Sequence, residues 1–482
     1  MTPSDLSLRL DVLRGKDRFS AGTLDDFAAY VTSAPDEDLF RMSPLRYAAS
    51  HGLDEQEGIE LFLHATHVGI LDFAWGMLCP GCMAFLTTAG GLRSLQSQHC
   101  NFCNLNLEGS LDDRVEVAFT VAPSARRIRF HSPDTVEPRE DAIRLYFSSS
   151  VAPASRPHRA LGESILAAGR ARPGEAHTAT LDFPESGQFV LLAPAGHVAV
   201  YVRAQEGGPR EASFDLLDGR AIPHRVDVST GRVELRMLNR TTHAVGYFVS
   251  PVGRTWPDPA EPGNPLTHPL LPYLTGARLV SSQSFRDLFR AESIPSEGGL
   301  ELKRVTVLFT DLTGSTALYE RVGDLRAYDL VRKHFSVLRS IAAAQGGAIV
   351  KTIGDAVMAS FAEPIHAMRA AIFMNRAIAE LKEEDLLLKI GLHTGPCIAV
   401  ELNERLDYFG RTVNIAARVQ GLARAGEIVC TSEVFDAPGV APAVNAAELV
   451  ATRGAAPLKG ITGEVPVVRM IRAGAEAPLS IA

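Results

Sequence analysis

Hydrophobic and polar positions change their period along the chain. Up to about residue 72 the apolar residues recur at helical spacing. Ser43 and Pro44 supply an N-cap and a first-turn proline for a segment that runs through Leu45, Ala48 and Ala49 and stops at Gly52. In the next segment, DEQEGIELFLHATHVG, residues Ile59, Leu61, Phe62 and Ala65 form one apolar stripe ending at Gly69. ILDFAW follows as a strand, so the region is expected to be helical and winged-helix-like. Asp54, Glu55, Glu57 and Glu60 give the second helix an acidic face that repels phosphate, which favours packing or a protein partner over nucleic acid.

From about 115 to 255 the period shortens to two. VEVAFTV, AIRLYF, TATLDF, QFVLLAP, HVAVYVRA, ASFDLL, RVELRMLN and AVGYFV, several of them separated by turn residues, predict an antiparallel β-sandwich serving as scaffold or sensor. Residues 254–275 are rich in proline and polar residues and are expected to be a linker. SSQSFRDLFRAES then places Phe285, Leu288 and Phe289 at the spacing of a short coupling helix. From Glu301 onward strands and helices alternate. The expected architecture is multidomain α+β: a helical part (1–72), a four-cysteine unit (73–115), a β region (116–255), a linker with its helix (256–300) and a last domain (301–475).

Composition narrows the setting. A chain of 482 residues suggests roughly three domains, and 46% apolar residues suffice for a core in each. The net charge of −8 disfavours a general nucleic-acid or anionic-membrane binder. No apolar run approaches the ~18 residues of a membrane span. The N-terminus lacks the apolar core of a secretory signal. A soluble, cytoplasmic protein is expected, with neither nucleic acid nor membrane as partner.

Four of the six cysteines crowd together as Cys79-x-x-Cys82, seventeen residues, then Cys100-x-x-Cys103. In a reducing compartment this spacing predicts a zinc-ribbon-like unit with one structural Zn²⁺. Four thiolates leave no open position for water, so catalysis is not expected there. His99, His64 and His67 are taken as ordinary rim or core residues.

The last domain carries more chemistry. VTVLFTDLTGSTALYERVG reads as a buried strand, Asp311 at its end, a Gly-Ser-Thr turn and a helix. Backbone N–H groups around Thr313, Gly314, Ser315 and Thr316 would form a phosphate cradle, while Asp311 alone could equally cap the helix. GGAIVKTIGDAVMASF reads as two strands joined by a tight turn at Gly354 and Asp355, with Lys351 on the first strand. Asp311 and Asp355 together would supply two carboxylates for Mg²⁺. In RLDYFGRTVNIAARV, Asp407 precedes a turn at Gly410, and Asn414 and Arg418 share one helix face.

FTDLTGST, GGAIVKTIGDAVMASF, LKIGLHTGP, DYFGRTVNIAARV and PLKGITGEVPVV, in that order over about 301–472, closely resemble the class III adenylyl/guanylyl cyclase catalytic domain. The resemblance implies a ferredoxin-like βαββαβ fold. It implies that Asp311 and Asp355 hold two Mg²⁺ or Mn²⁺ ions and that Lys351 and Asp407 read the base. It also implies that Asn414 orients the ribose, that Arg418 stabilises charge on the transferred phosphate, and that two chains share each active site as a homodimer. The upstream half looks like that of soluble bacterial cyclases with a helical segment, a paired-CxxC unit and a β region, without implying a function for them.

The base contacts favour ATP. Asp407 can accept from adenine N6 and Lys351 can donate to N1, whereas guanine would set acceptor against acceptor and donor against donor. The expected activity is conversion of ATP to cyclic AMP and pyrophosphate, regulated by the N-terminal region. The alternatives are a guanylate cyclase and a non-catalytic dimerising signalling module.

Overall fold

The computed structural model describes residues 5–79, 84–85, 98–100, 105–107, 114–132, 135–151, 162–193, 198–252, 271–289, 300–313, 320–380, 387–402 and 405–472. Contacts group the chain into two compact units, the first holding most residues up to Leu274 and the second the chain from Thr275 together with short stretches that include Ser110–Val115. Most of the expected linker, 253–270, lies outside the described residues.

The first unit opens with helices α1 (Asp5–Arg14), α2 (Ala21–Ser33), α3 (Pro44–His51) and α4 (Glu55–His67). The side chains of Ser43 and Asp54 accept from the N–H groups of Arg46 and Glu57, capping α3 and α4, and Gly52 ends α3 at φ 70°. Ile59, Leu61, Phe62 and Ala65 are buried, as their spacing predicts. The acidic face of α4 is narrower than expected. Glu60 is only 7% exposed and pairs with Arg18 at 2.8 Å, because every residue from Gly58 to Ala65 is buried and the helix has no wide outer face there.

Strand β1 (Leu71–Met77) pairs with β4 (Val115–Val121) in a two-stranded sheet, while β2 (Gln98–Cys100) and β3 (Leu105–Leu107) pair antiparallel with each other. AIRLYF, expected as a strand, is the helix α5 (Ala142–Tyr146). So short an apolar run is compatible with either element. Here the buried Asp141 decides: the Arg129 guanidinium grips its carboxylate at 2.8 and 3.2 Å, and its carbonyl accepts from Leu145 N–H at 2.9 Å to start the turn.

Two sheets follow. One contains β5 (Ala167–Ala171), β7 (Gly187–Ala193), β8 (Val198–Gln205), β11 (Arg225–Ser229) and β13 (Val245–Pro251), in the order β11-β8-β7-β13-β5. The other contains β6 (Ala176–Phe183), β9 (Glu211–Leu217), β10 (Arg220–Ile222) and β12 (Gly231–Asn239), in the order β10-β9-β12-β6. Inward residues of both, such as Leu191 and Val200 from the first and Leu181 and Leu235 from the second, share one core. The pairing is mixed rather than wholly antiparallel, since β8 with β11 and β9 with β12 run parallel. Between each parallel pair the chain visits the opposite sheet, so the second strand returns in the same direction.

The second unit begins with α6 (Gly276–Val280) and α7 (Gln283–Leu288), the latter at the expected coupling helix. Then come β14 (Leu300–Thr313), α8 (Asp324–Ala344), β15 (Ala348–Ile353), β16 (Ala356–Phe361), α9 (Pro364–Glu380) and β17 (Leu387–Leu402). They are followed by β18 (Arg405–Phe409), α10 (Arg411–Gln420), β19 (Ile428–Thr431), α11 (Ser432–Phe435), α12 (Val440–Ala446), β20 (Leu449–Pro457) and β21 (Glu464–Arg472). The sheet order is β15-β16-β14-β17-β19-β21-β20, with β18 attached to β17. Its first four strands, with α8 and α9, have the connectivity and order of the expected βαββαβ fold.

Strand alternation sorts this sheet into two faces. Leu308 and Leu312 of β14, Leu388, Ile390 and Leu392 of β17, and Ile428 and Cys430 of β19 join α8 and α9 in one core. The neighbours of opposite parity, Val429 and Val467, pack instead with Ile415 and Val419 of α10. Helix α10 approaches β17 so closely that a Cβ on Gly391 would lie 2.2 Å from the backbone nitrogen of Gln420. Gly391→Ala is therefore expected to cost about 1–3 kcal/mol by overpacking and to displace α10. Denaturant unfolding of the purified variant checks this, and unchanged stability would contradict the close approach.

Candidate active site

Parity decides which charged residues face which way. Asp311 and Lys389 are cross-strand partners on β14 and β17, on the face away from α8 and α9, and Lys389 Nζ lies 3.6 Å from Asp311 Oδ2. Asp311 does not end its strand, as the pattern suggested, because β14 continues to Thr313. The chain turns between β15 and β16 at Gly354, with φ 64°, a conformation that favours glycine. Thr310 pairs with Val357, so Asp355, two residues before Val357, falls beside the Asp311 end of β14. Asp355 Oδ2 is buried and has no hydrogen-bond partner among the described residues. Thr313 Oγ1 is likewise buried and unpartnered, whereas Gly314, Ser315 and Thr316 lie outside the described residues.

His334 of α8 lies within the electrostatic reach of Asp355. It is 2% exposed, and burial pulls its pKa down to about 4 against the opposing pull of the Asp355 charge. The ring is therefore neutral at pH 7 and adds no positive charge beside the carboxylates.

Lys351 owes its direction to a β-bulge. Ile349 pairs with Ala359 and packs on the helix-covered core, and a register shift then pairs Lys351 with Met358. The extra residue turns Lys351 to the opposite face from Ile349. There Lys351 Nζ donates to Asp407 Oδ2 at 2.6 Å. Asp407 is 7% exposed, and its Oδ1 accepts from Tyr408 N–H at 2.8 Å. Helix α7 holds both strands: Gln283 Oε1 accepts from Ile349 N–H at 2.8 Å, and Arg286 donates to Leu406 O at 2.7 Å with its guanidinium 5.1 Å from the Tyr408 ring centre.

Asn414 and Arg418 project from the flank of α10 that Thr412, Ile415 and Val419 leave uncovered. With Arg411 and the turn Gly460–Thr462 they line a cleft of about 690 Å³. Neither side chain makes a hydrogen bond or ion pair among the described residues, so both are available to a ligand. None of Asp311, Asp355, Lys351 and Asp407 lines this cleft. The six candidates thus form three groups within one chain: a carboxylate pair, an ion pair and an open cleft.

Lys389, Gln283, Arg286 and the Gly460–Thr462 turn were not singled out from the sequence. Lys389 does leave a trace there, as the one charged position within LLLKIGL. Conversely, Cys79 is fully buried in an apolar cluster with Ala84, Ala142 and Phe147. Cys82, Cys103 and the side chain of Cys100 lie outside the described residues, and among the described residues no three metal-ligating side chains gather. His393, Cys397 and Cys430 are buried. No helix among the described residues is long and apolar enough to cross a membrane.

Comparison with known proteins follows this division of the chain. Residues 4–287 match a family of unknown function (DUF5939), and residues 300–465 match the adenylate and guanylate cyclase catalytic domain. A receptor-type adenylate cyclase of Trypanosoma congolense is 27% identical, covering 34% of this chain and 27% of that protein. A pH-sensitive adenylate cyclase of Mycobacterium tuberculosis is 31% identical, covering 38% of this chain and 44% of that protein. The chain therefore spans less than half the length of either relative. Among solved structures, a guanylate cyclase domain from Catenaria anguillulae in complex with GTP is 26% identical, covering 36% of this chain and 98% of that one, with a TM-score of 0.31. The chain belongs to the DUF5939 family through its N-terminal residues and carries a class III adenylate and guanylate cyclase catalytic domain at its C-terminal end.

Proposed function

We propose that this protein is an adenylate cyclase that converts ATP to 3′,5′-cyclic AMP and pyrophosphate at sites shared by a homodimer, under control of its N-terminal region. The observation that carries this reading is Asp355 Oδ2, buried without a donor among the described residues beside the Asp311 end of β14. A buried carboxylate oxygen left without a donor is costly unless a cation completes it. Asp311 and Asp355 fit hard divalent ions, Mg²⁺ or Mn²⁺, which keep further positions for substrate phosphates. Such ions, when bound, lower the pKa of the ribose 3′-hydroxyl and offset the charge that builds on pyrophosphate.

In the reaction the 3′-oxygen attacks the α-phosphorus, losing its proton to solvent, as the bond to pyrophosphate breaks and pyrophosphate leaves with the electron pair. Arg418 offers a planar fork of donors to the charge on the transferred phosphate, and the Asn414 amide orients the ribose. Thr313, with Gly314, Ser315 and Thr316, would receive the phosphates. Lys351 and Asp407, paired with each other at 2.6 Å in the free chain, are arranged as donor and acceptor for adenine N1 and N6. Their ion pair holds both side chains in place until the base replaces the contact. Separation of the Asn414–Arg418 cleft from the two aspartates within one chain supports a site completed by a second copy, which a two-fold dimer supplies twice. The winged-helix-like helices and the β region are the proposed regulatory part.

Purified full-length protein should release cyclic AMP from ATP with Mg²⁺ or Mn²⁺, and more slowly convert GTP. Asp311→Ala and Asp355→Ala should each abolish turnover; full activity of either would sink the reading. Mixing Asp311→Ala with Arg418→Ala chains should restore about a quarter of wild-type activity, since half the dimers regain one of two sites. No recovery after subunit exchange would exclude sharing. Lys389→Met removes a cation 3.6 Å from Asp311 and should lower the Mg²⁺ concentration for half-maximal rate about twofold to tenfold, read by metal titration at saturating ATP.

A further inference from the structure

The first unit holds a cavity of about 580 Å³, within the size range of small-molecule sites, that the cyclase chemistry does not use. Its walls combine aromatic side chains, Tyr30, Phe40, Tyr47 and Phe147 from α2, α3 and the segments around them, with serines and charged residues. Two guanidinium groups belong to this lining. Arg41 is only 5% exposed, with its Cζ 4.8 Å from the Phe40 ring centre and 4.3 Å from that of Phe85. Its Nη1 donates to Leu145 O at 3.0 Å, but its Nε has no acceptor among the described residues. Arg46 donates to the carbonyl and hydroxyl of Ser149, and its Nε also lacks an acceptor.

The charge balance inside is incomplete. The two arginines share one buried carboxylate, Glu116, which is held by the hydroxyls of Ser148 and Ser150. Burial pushes the Glu116 carboxyl up, and it pulls Arg41 down to about 10 while the Glu116 charge opposes that fall. Glu116 is the one buried carboxylate for two guanidinium groups, and the other carboxylate facing Arg46, Asp38, is exposed at the rim, so an anion inside the cavity would complete the pairing. The rim has the other sign: Glu37, Asp38 and Glu140 outnumber Arg144 there. That rim penalises a polyanion such as a nucleotide triphosphate but tolerates a single negative charge carried inward.

We propose that this cavity is a binding site for a small organic monoanion, a carboxylate on an apolar body, whose charge meets Arg41 and Arg46 while its body lies against the aromatic walls. The site belongs to the part of the chain matched by the family of unknown function, and it stands independently of the cyclase reading.

Calorimetric titration of the full chain with 4-phenylbutyrate, against the neutral 4-phenylbutan-1-ol, tests it. The carboxylate should bind at least about tenfold more tightly than the alcohol, the margin of one charge-assisted hydrogen bond. Arg41→Met should lose at least that factor, and Arg41→Lys, which keeps the charge, should lose less. Since Arg41 also supports the Leu145 carbonyl, Ser50→Trp provides a second variant: Ser50 is exposed at the end of α3 and lines the cavity, so a bulky ring there obstructs it without touching the core. Ser50→Trp that melts like wild type should bind 4-phenylbutyrate at least about tenfold more weakly. Equal binding of acid and alcohol, undiminished binding by Ser50→Trp, or no heat at millimolar 4-phenylbutyrate would each overturn the proposal.

Discussion

The catalytic unit depends on the two-residue alternation through its central strands. In β14 and β17 the same register that pairs Asp311 with Lys389 sends Leu308, Leu312, Leu388 and Ile390 to the opposite face, under α8 and α9. Burial of that apolar face, at about 25 cal/mol per Å², makes a slip of one residue prohibitive, because a slip would bury Asp311 and Lys389 and expose the leucines. The position of the acidic group is therefore secured by hydrophobic packing on the far side of the sheet. The face that carries Asp311 receives α10, whose approach at Gly391 sets where Asn414 and Arg418 stand.

Electrostatics then divides the polar groups into satisfied and waiting ones. The Lys351–Asp407 pair is partly exposed, so it adds little to stability, on the order of 0–1 kcal/mol. Its value lies in holding a donor and an acceptor side by side, with α7 anchoring the strand of each through Gln283 and Arg286. Asp355, Asn414 and Arg418 show the contrasting condition, polar groups without a partner among the described residues. A folded protein tolerates such groups where a ligand or a second copy completes them. The first unit repeats the principle at Arg41 and Arg46, where two guanidinium groups meet one buried carboxylate.

Helix boundaries and the order of strands in the second unit were legible in the sequence, because caps, turn glycines and alternation are local signals. Ser43, Gly52 and Gly354 act where the pattern placed them. Local signals failed where a distant residue chose between near-equal alternatives. AIRLYF became a helix because Arg129 grips Asp141, and the β region became mixed because its chain alternates between two sheets.

By itself the sequence determined the family of the last third, the identity of its six candidate polar residues, and the βαββαβ succession that carries them, since all are written in contiguous motifs. Tertiary structure alone decided which way each of those residues faces. Lys351 reaches Asp407 only through a β-bulge after Ile349, Lys389 becomes the neighbour of Asp311 only through strand register, and the Asn414–Arg418 cleft forms only when the Gly460 turn folds against α10. Such juxtapositions arise between segments tens of residues apart, where packing of the whole sheet, and no local propensity, sets the distance.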